Sequence, residues 1–141
     1  MQDIRDDNCV FCKIADGAIP SITCYEDNEF RVFCDVSPAT RGHVLIIPKN
    51  HYEDFFSIPD EVAQDIFVLA KKTATALKEI LGCDGINVLQ NNGRAAGQTV
   101  FHYHIHLIPR YDGEEDLIYW ENKEVDRPAM EHVAKQLQNL L

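Results

Sequence analysis

The fold and the chemistry of this chain centre on Thr99-Val100-Phe101-His102-Tyr103-His104-Ile105-His106-Leu107-Ile108, where three histidines alternate with apolar or aromatic residues. Successive side chains of an extended strand point to opposite faces, so the alternation predicts a strand with the three imidazoles on one face. The residues between them form the other face, which can pack in a core and hold the histidine row rigid. Imidazole titrates near neutral pH, acts as a nucleophile and binds metals, so this segment indicates a functional site.

The residues of this row leave four interpretations open. The row can be a solvated or pH-sensing strand, although three histidines in five positions are many for a rare residue. It can be a three-histidine zinc site, although neighbours on one flat strand seldom supply three tetrahedral directions. It can divide its histidines between a metal and catalysis. It can also place a nucleophilic histidine beside helpers that bind an anion.

Further blocks of sequence favour nucleophilic chemistry, because together with the histidine row they resemble the histidine-triad (HIT) nucleotide hydrolases. One block is Asp35-Val36-Ser37-Pro38 followed by Gly42-His43-Val44-Leu45-Ile46-Ile47-Pro48-Lys49-Asn50-His51. Another is Asn91-Asn92-Gly93 followed by Gly97-Gln98-Thr99. The resemblance runs from about Cys9 to Arg110, and its blocks stand in the family's order.

The pattern of elements predicts an α+β fold with a mainly antiparallel sheet and one long helix against a face. One domain is expected over 1–141, with a core at about 9–110 and an acidic tail plus C-terminal helix over 111–141. The predicted strands are 23–26 and 30–35 as a hairpin, then 43–48, 86–90 and the histidine strand, ended by Pro109. The predicted helices are 9–16 capped by Asn8, a long helix from Ser57 or Asp60 to Gly82, and a final amphipathic helix preceded by Arg127-Pro128. The resemblance further implies a HIT-like fold and a homodimer that joins two such sheets.

Composition narrows the functional class. A net charge of −10 argues against a nucleic-acid partner, which normally requires a basic surface, but does not exclude a small anionic ligand. The sequence has no apolar run of membrane-spanning length, and its polar, acidic start, Met1 to Asp7, does not resemble a signal peptide. Five cysteines, an odd number, suit a reducing compartment, so we expect a cytoplasmic protein without a membrane partner.

The resemblance implies specific roles for the histidine row and its neighbours. His104 corresponds to the family's nucleophile, which attacks the α-phosphorus, and His106 corresponds to a ligand of a phosphate oxygen. Thr99 corresponds to a hydroxyl near the leaving group. The expected phosphate- or ribose-side contacts come from the loop before the row: Asn91, Gly97 and the backbone of Gln98. From the residues alone, this Asn/Gly loop is equally a plain turn.

Two residues of the first block have candidate roles in binding the nucleoside and in supporting the triad. Asp35 occupies the family's ribose-binding position, and a carboxylate that accepts from two ribose hydroxyls is a recurrent way to hold a nucleoside. Asp35 also lies at the end of a predicted strand, where a turn alone would explain an aspartate. His43 is a candidate for supporting the histidine row from the neighbouring strand, or a hydrogen-bonded core histidine.

A Cys9-x-x-Cys12 pair is the other candidate site. By itself such a pair fits a redox centre, a metal site or chance, and zinc requires two further ligands. His51 and His102 are available, and the resemblance to bacterial members implies a structural zinc bound by these two cysteines and two histidines. Cys24, Cys34 and Cys83 have no partner at metal-binding spacing and are predicted to be small core residues.

His106 also bears on the branch of the family. The transferase branch carries glutamine at this position, so histidine favours hydrolysis. The resemblance leaves two hydrolase branches: nucleoside phosphoramidases (Hint-like), favoured by the Cys9–Cys12 pair, and dinucleoside polyphosphate hydrolases (Fhit-like). We therefore expect a purine nucleotide conjugate as substrate. A non-catalytic nucleotide or zinc sensor is the alternative from another class.

Overall fold

The computed structural model describes residues 3–141, so Met1 and Gln2 of the polar start lie outside the described residues. The helices and strands follow the predicted order. The strands are β1 (Thr23–Glu26), β2 (Phe30–Cys34), β3 (Val44–Pro48), β4 (Gly85–Leu89) and β5 (Ile105–Arg110). The helices are α1 (Val10–Ala15), α2 (Asp60–Leu81) and α3 (Arg127–Leu140), with a short 3-10 turn at Arg94–Ala96.

The five strands form one antiparallel sheet in the order β1-β2-β3-β5-β4, which confirms the α+β fold class. β3 lies at the centre and is buried along its whole length, as its unbroken apolar sequence predicts. Its residue Leu45 pairs with His106 of β5, and Ile46 pairs with Ile105. The register therefore places the end of the histidine row beside the central strand.

The two faces of the sheet carry separate cores because the pleat divides each strand's side chains. α2 covers one face, where Tyr103, Ile105 and Leu107 are buried with Val32 and Ile46. This confirms the apolar face predicted for the histidine segment. α1 covers the other face, which carries the histidine row. A second cluster of buried residues lies there: Cys9, Phe11, Cys12, Ile14, Ala15, Phe33, Leu45 and Ile47.

α2 begins and ends where its sequence predicts. Asp60 and Glu61 lie in its first turn, where carboxylates interact favourably with the helix dipole, and Gly82 ends it with a φ of 61°. Beside this end Leu81 packs so closely on Gly42 that a Cβ at position 42 would clash with Leu81 Cδ1. Near this end Ile80 continues the apolar spacing of α2, yet its side chain is 77% exposed.

The histidine segment differs from the predicted continuous strand. β5 starts only at Ile105 and continues through Pro109 to Arg110, so His102 and His104 precede it. Other hydrogen bonds replace the ladder at these residues. The Tyr103 N–H donates to the Tyr52 carbonyl at 2.6 Å, and the two histidine rings bond to backbone carbonyls rather than projecting freely.

Three local predictions were also wrong. Cys9 rather than Asn8 caps α1, because its Sγ accepts from the Cys12 N–H at 3.3 Å. Arg127 lies inside α3, whose cap is Asp126. Cys24 is exposed rather than buried in the core, and its Sγ lies 3.8 Å from that of Cys34. Within residues 3–141, no helix combines the length and the apolar character needed to cross a bilayer.

Candidate functional site

The backbone of the histidine segment fixes the tautomer of the central ring. His104 Nδ1 lies 2.7 Å from the carbonyl oxygen of His102, which can only accept, so Nδ1 carries the hydrogen and donates it. In a neutral ring the other nitrogen, Nε2, then carries a lone pair. His104 is buried and its ring packs against that of Phe11 at a centroid distance of 5.0 Å. The arrangement holds a neutral imidazole with a basic, nucleophilic Nε2.

A chain of hydrogen bonds fixes the tautomer of the third histidine. The Ala39 N–H donates to His43 Nδ1 at 2.9 Å, so in neutral His43 the hydrogen lies on Nε2. This Nε2 is 2.9 Å from His106 Nδ1 and donates to it. His106 therefore presents an Nε2–H donor, and its ring lies 5.0 Å from that of His104. The Nε2 lone pair of His104 and the Nε2–H donor of His106 thus lie on neighbouring rings.

Burial keeps these rings uncharged. It lowers the pKa of His104 below its ordinary value of 6.5, against the opposing effects of the His102 carbonyl and Asp35. It also lowers the pKa of His106 to about 4, with His104 and His43 adding to the shift. Burial lowers the pKa of His43 too, although Asp35 opposes it. At neutral pH the site therefore holds neutral imidazoles.

Asp35 lies at the edge of this cluster. Its Oδ1 accepts from the Ser37 N–H at 2.8 Å, as in an Asx turn, and its Oδ2 lies 3.5 Å from His43 Nε2. The carboxylate therefore forms a turn and also contacts the histidine cluster. Its contact with a ribose stays a prediction. The 2.9 Å between His43 and His106 matches an N–H···N hydrogen bond rather than the separation of two zinc ligands, about 3.3 Å.

The second cluster is the predicted metal group of Cys9, Cys12, His51 and His102, whose ligand atoms all lie within 4.8 Å of one another. His102 Nδ1 is 3.4 Å from Cys9 Sγ and 3.5 Å from Cys12 Sγ. Cys12 Sγ is 3.4 Å from His51 Nδ1. Sulfur and nitrogen ligands of a tetrahedral zinc ion lie about 3.6 Å apart, so these four atoms fit that ion.

The surroundings of the metal group also fit a cation. His102 Nε2 donates to the Pro48 carbonyl at 2.8 Å, which leaves Nδ1 free to bind a metal and orients the ring. Burial raises the pKa of the Cys12 thiol to about 11, so a thiolate forms here only with the help of a cation. The structure thus brings the four predicted ligands together, and the carbonyl of His102 connects this metal group to the cluster of His43, His104 and His106.

The loop before the histidine segment is held by Gln98. This side chain is buried; its Oε1 accepts from the Gly93 N–H at 2.8 Å and its Nε2 donates to the Glu53 carbonyl at 2.8 Å. The Gln98 N–H donates to the Gly93 carbonyl at 3.1 Å, so the backbone group expected to contact substrate is already bonded. Gln98 therefore shapes the loop, and its substrate contact stays a prediction.

The other predicted loop residues remain available. Gly97 has a φ of 94°, and a Cβ there would lie 3.5 Å from Asn91 Nδ2, so the two residues are adjacent. The Thr99 side chain is exposed. Within residues 3–141, neither the side-chain amide of Asn91 nor the hydroxyl of Thr99 has a hydrogen-bond partner on the protein. Their roles toward a phosphate stay predictions.

The sequence did not reveal three groups that shape the site. Phe11 supports the His104 ring, the Ala39 N–H fixes the His43 tautomer, and the Pro48 carbonyl orients His102. Two of these are backbone groups, which every residue carries, so no residue type marks them. Phe11 stands between the two cysteines, and that position was the one available signal.

The chain is similar to known proteins over most of its length. The profile of the HIT domain matches residues 16–113. A crystal structure of a HIT family protein from Bacillus anthracis is similar to this chain with a TM-score of 0.84 and 42% identity, covering 97% of this chain and 99% of that one.

Two other relatives have informative descriptions. The adenosine 5'-monophosphoramidase HNT1 of Saccharomyces cerevisiae is 42% identical over 133 residues, which cover 94% of this chain and 82% of that protein. A zinc-bound histidine triad family protein from Mycobacterium smegmatis is similar with a TM-score of 0.73 and 36% identity, over 95% of this chain and 98% of that one.

Proposed function

The chain belongs to the HIT family, and from that membership and the site geometry we propose that it hydrolyses nucleoside phosphoramidates through a nucleotidyl-His104 intermediate. The observation that carries this proposal is the pair of fixed tautomers on neighbouring rings, with a lone pair on His104 Nε2 and a hydrogen on His106 Nε2. The resemblance to a yeast adenosine 5'-monophosphoramidase supports the substrate class.

The first step needs a neutral nucleophile, because phosphate oxygens repel anions. His104 Nε2 attacks the α-phosphorus, a nitrogen–phosphorus bond forms, and the bond from phosphorus to the leaving amine breaks. The ring gains positive charge, which the His102 carbonyl offsets through the Nδ1–H bond. His106 Nε2–H donates to a phosphate oxygen whose charge increases in the transition state.

The leaving nitrogen must gain a proton to depart as a neutral amine, and we assign the Thr99 hydroxyl as a relay that passes a proton from water to this nitrogen and is itself reprotonated. A second water then attacks the phosphorus of nucleotidyl-His104, the phosphorus–nitrogen bond breaks, and the nucleoside monophosphate and the neutral ring are released. The proton that this water loses returns to solvent and balances the one taken up by the amine. Asp35 holds the ribose hydroxyls, while Asn91 and Gly97 contact the phosphate. By analogy with the adenosine phosphoramidase, we propose a purine nucleotide conjugate as the substrate, without strict selection of the base.

We also propose that Cys9, Cys12, His51 and His102 hold a structural zinc. When bound, the ion supplies cross-linking rather than Lewis-acid chemistry, because four protein ligands close a tetrahedral site. Through these ligands the ion would connect α1 to the backbone segment 102–104, which includes His104. The ligands need reduced thiols, which agrees with a cytoplasmic location.

A homodimer is proposed through the free edge of β4. Beside this strand lies an apolar surface formed by Val88, Phe67 and Val68, each more than half exposed. Joining two β4 edges would pair their free backbone groups and cover these side chains. The measurement is the mass in solution by sedimentation, with Val88→Asp as the variant expected to dissociate the dimer.

The test of the function is a substrate panel with the zinc-loaded protein. We expect turnover of a fluorogenic adenosine phosphoramidate and, in a rapid acid quench, a protein adduct with the mass of one adenylyl group. Diadenosine triphosphate serves as the competing substrate of the dinucleoside polyphosphate branch, and faster turnover of it would overturn the phosphoramidase assignment. Tight binding of adenosine monophosphate with no turnover of any conjugate would indicate a sensor.

A further inference from the structure

Every residue of α3 is exposed, although the helix has a strongly apolar side. Its apolar side chains recur at three- and four-residue spacing and form the α3 stripe: Met130, Val133, Leu137 and Leu140. A helix of this length is stable mainly when its apolar side packs on another surface. Within residues 3–141, α3 buries none of its residues, so it requires a surface outside its present contacts.

The body of the chain offers a matching surface, here called the α2 groove. It lies between α2 and the β1–β2 hairpin and has a volume of about 760 Å³. Its floor and walls are apolar and include Phe30, Val32, Leu69, Leu77 and Ile80. This location explains why Ile80, an apolar residue of the core helix, is 77% exposed: it faces an open groove rather than the core.

Length and charge both fit α3 to this groove. The fourteen residues of α3 span about 21 Å. The groove follows α2 from Asp65 to Ile80, a distance of about 22 Å. Three carboxylates and one lysine line the groove, a net charge of −2: Asp27, Glu29, Asp65 and Lys72. α3 carries Arg127 and Lys135 against Glu131, a net charge of +1 in a chain whose total is −10.

The tail leads α3 away from the groove of its own chain. Asp112 N–H donates to Asp84 Oδ2 at 2.7 Å, and the tail up to Ile118 lies beside Gly85 and Asn87 of β4. β4 and β1 are opposite edges of the sheet, so they lie about 19 Å apart at the usual strand spacing. To reach its own groove, the chain after Ile118 would have to cross the sheet and pass over α2.

We propose that α3 of one chain docks through the α3 stripe into the α2 groove of a second copy, and that the exchange is reciprocal about a twofold axis. The tail leaves from the β4 edge, which faces the second copy in the homodimer proposed above. Two docked helices bury on the order of 800 Å² in total, below the roughly 1,200–2,000 Å² of a stable interface. The exchange therefore adds to the contact between sheet edges.

The decisive experiment is photo-crosslinking in the full-length, zinc-loaded protein. A benzophenone amino acid replaces Leu137 in ¹⁵N-labelled chains, which are mixed with unlabelled chains so that protomers exchange before irradiation. We expect a cross-link from position 137 to a residue that lines the α2 groove, such as Leu69, Leu77 or Ile80 of α2 or Phe30 of β2, and we expect it to join a labelled and an unlabelled peptide. The matched control places the same group at Lys135, on the opposite side of α3, and should give no such product.

Other products would overturn the proposal. A cross-link to the groove that joins two labelled peptides at every mixing ratio would place α3 on its own chain. A cross-link from α3 to α3 would indicate a helix pair, and one to Phe67 or Val88 would indicate the surface beside β4. Absence of cross-links, or a monomer in solution, would equally overturn it.

Substitutions provide a second measurement that does not depend on the cross-linker. Leu137→Asp and Ile80→Asp should each raise the dissociation constant of the dimer about tenfold or more, because each places a carboxylate in the apolar contact. Both side chains are exposed in the single chain, so the fold should persist, as checked by circular dichroism. Lys135→Gln and Glu79→Gln are the matched controls, and equal dissociation constants for all four variants would contradict the exchange.

Discussion

Two clusters of titratable side chains meet at residues 102–104, and they differ in how their atoms are spaced. In the metal group, thiol sulfurs and ring nitrogens lie 3.4–3.5 Å apart, which suits four ligands around one ion. In the proposed catalytic cluster of His43, His104 and His106, the ring nitrogens lie 2.7–2.9 Å from their backbone or ring partners, which is the length of a hydrogen bond. The first spacing leaves room for a cation, and the second positions protons.

The difference suggests that stability and chemistry can be separated by mutation, although His102 links the two clusters. Its ring belongs to the metal group, while its carbonyl accepts from His104. A change in the metal group should therefore act mainly on stability, and a change in the catalytic cluster mainly on turnover.

The largest expected effect is that of His104→Ala. Removal of a covalent nucleophile typically costs about 10⁶-fold in kcat. Steady-state kinetics with the phosphoramidate measures it, while bound zinc and nucleotide affinity should be retained. Because a buried ring is lost, His104→Gln serves as a second variant. Activity near that of the parent in either variant would refute the nucleotidyl-histidine mechanism.

Cys12→Ser tests the other cluster. Binding of a metal at a thousand times its dissociation constant stabilises the folded state by about 4 kcal/mol, so its loss should lower the melting temperature by about 10 °C. Activity should fall far less than in the nucleophile variants. Cys24→Ser, at an exposed thiol, is the matched control for thermal melts and metal analysis. If chelation abolished turnover and left the melting temperature unchanged, the metal would be catalytic.

Much of the arrangement of the two clusters could be predicted from the sequence, because the sequence specifies which side chains are present and how they are spaced. The alternation around Tyr103, Ile105 and Leu107 predicted a buried face, and the Cys9-x-x-Cys12 pair together with the family resemblance predicted a set of metal ligands. What the sequence could not provide is the backbone geometry. The break in the strand before Ile105 arises from hydrogen bonds to carbonyls of other segments, such as that of Tyr52.

Two exposed apolar residues show that burial, like backbone geometry, is not predicted by a local sequence pattern. Ile80 fits an apolar helical stripe by its spacing, yet it faces the open α2 groove. Cys24 is a small apolar residue in a strand, yet β1 is an edge strand with all four residues exposed. Burial depends on which neighbours a strand or helix has, and a pattern within one element does not identify them.

His43→Ala should have an intermediate effect. Without its Nε2–H, His106 is free to change tautomer and to present a lone pair instead of a donor to the phosphate. We expect kcat to fall about 10²-fold, in the range typical for loss of a positioned proton donor. His43→Gln retains an N–H at a similar position and should restore part of the rate. Equal activity of the alanine and glutamine variants would contradict a positioning role.

Asp35→Ala should weaken the binding of ribonucleotides. A hydrogen bond to a charged group contributes roughly 1.5–3 kcal/mol, so ribonucleotides should bind about 10- to 100-fold more weakly. The 2',3'-dideoxy analogues should lose little, because they lack the hydroxyls. Calorimetry with both ligands makes the comparison, and Asp35→Asn, which can still accept from Ser37, controls for the turn. An equal loss for both ligands would reduce Asp35 to a turn residue.

The smallest effect is expected from a change of pH, and the direction of this effect follows from the burial of the histidine rings. His104 must be neutral to attack, and burial lowers its pKa below 6.5, so kcat/KM should stay flat from pH 8 through 6.5 and decline only at lower pH. Stability behaves differently. His106 has a pKa of about 4 when folded and near 6.5 when unfolded.

Between pH 6.5 and about 4 the unfolded chain therefore binds more protons than the folded one, so the free energy of unfolding should decrease as the pH falls through this window. Chemical denaturation at several pH values measures the slope. His106→Gln removes one of the buried rings whose pKa is lowered and should therefore reduce this slope, while His132→Gln, at an exposed position on α3, serves as the control. If activity already declined at pH 7, the His104 ring would be more basic than its burial implies, and the neutral nucleophile would have to be abandoned.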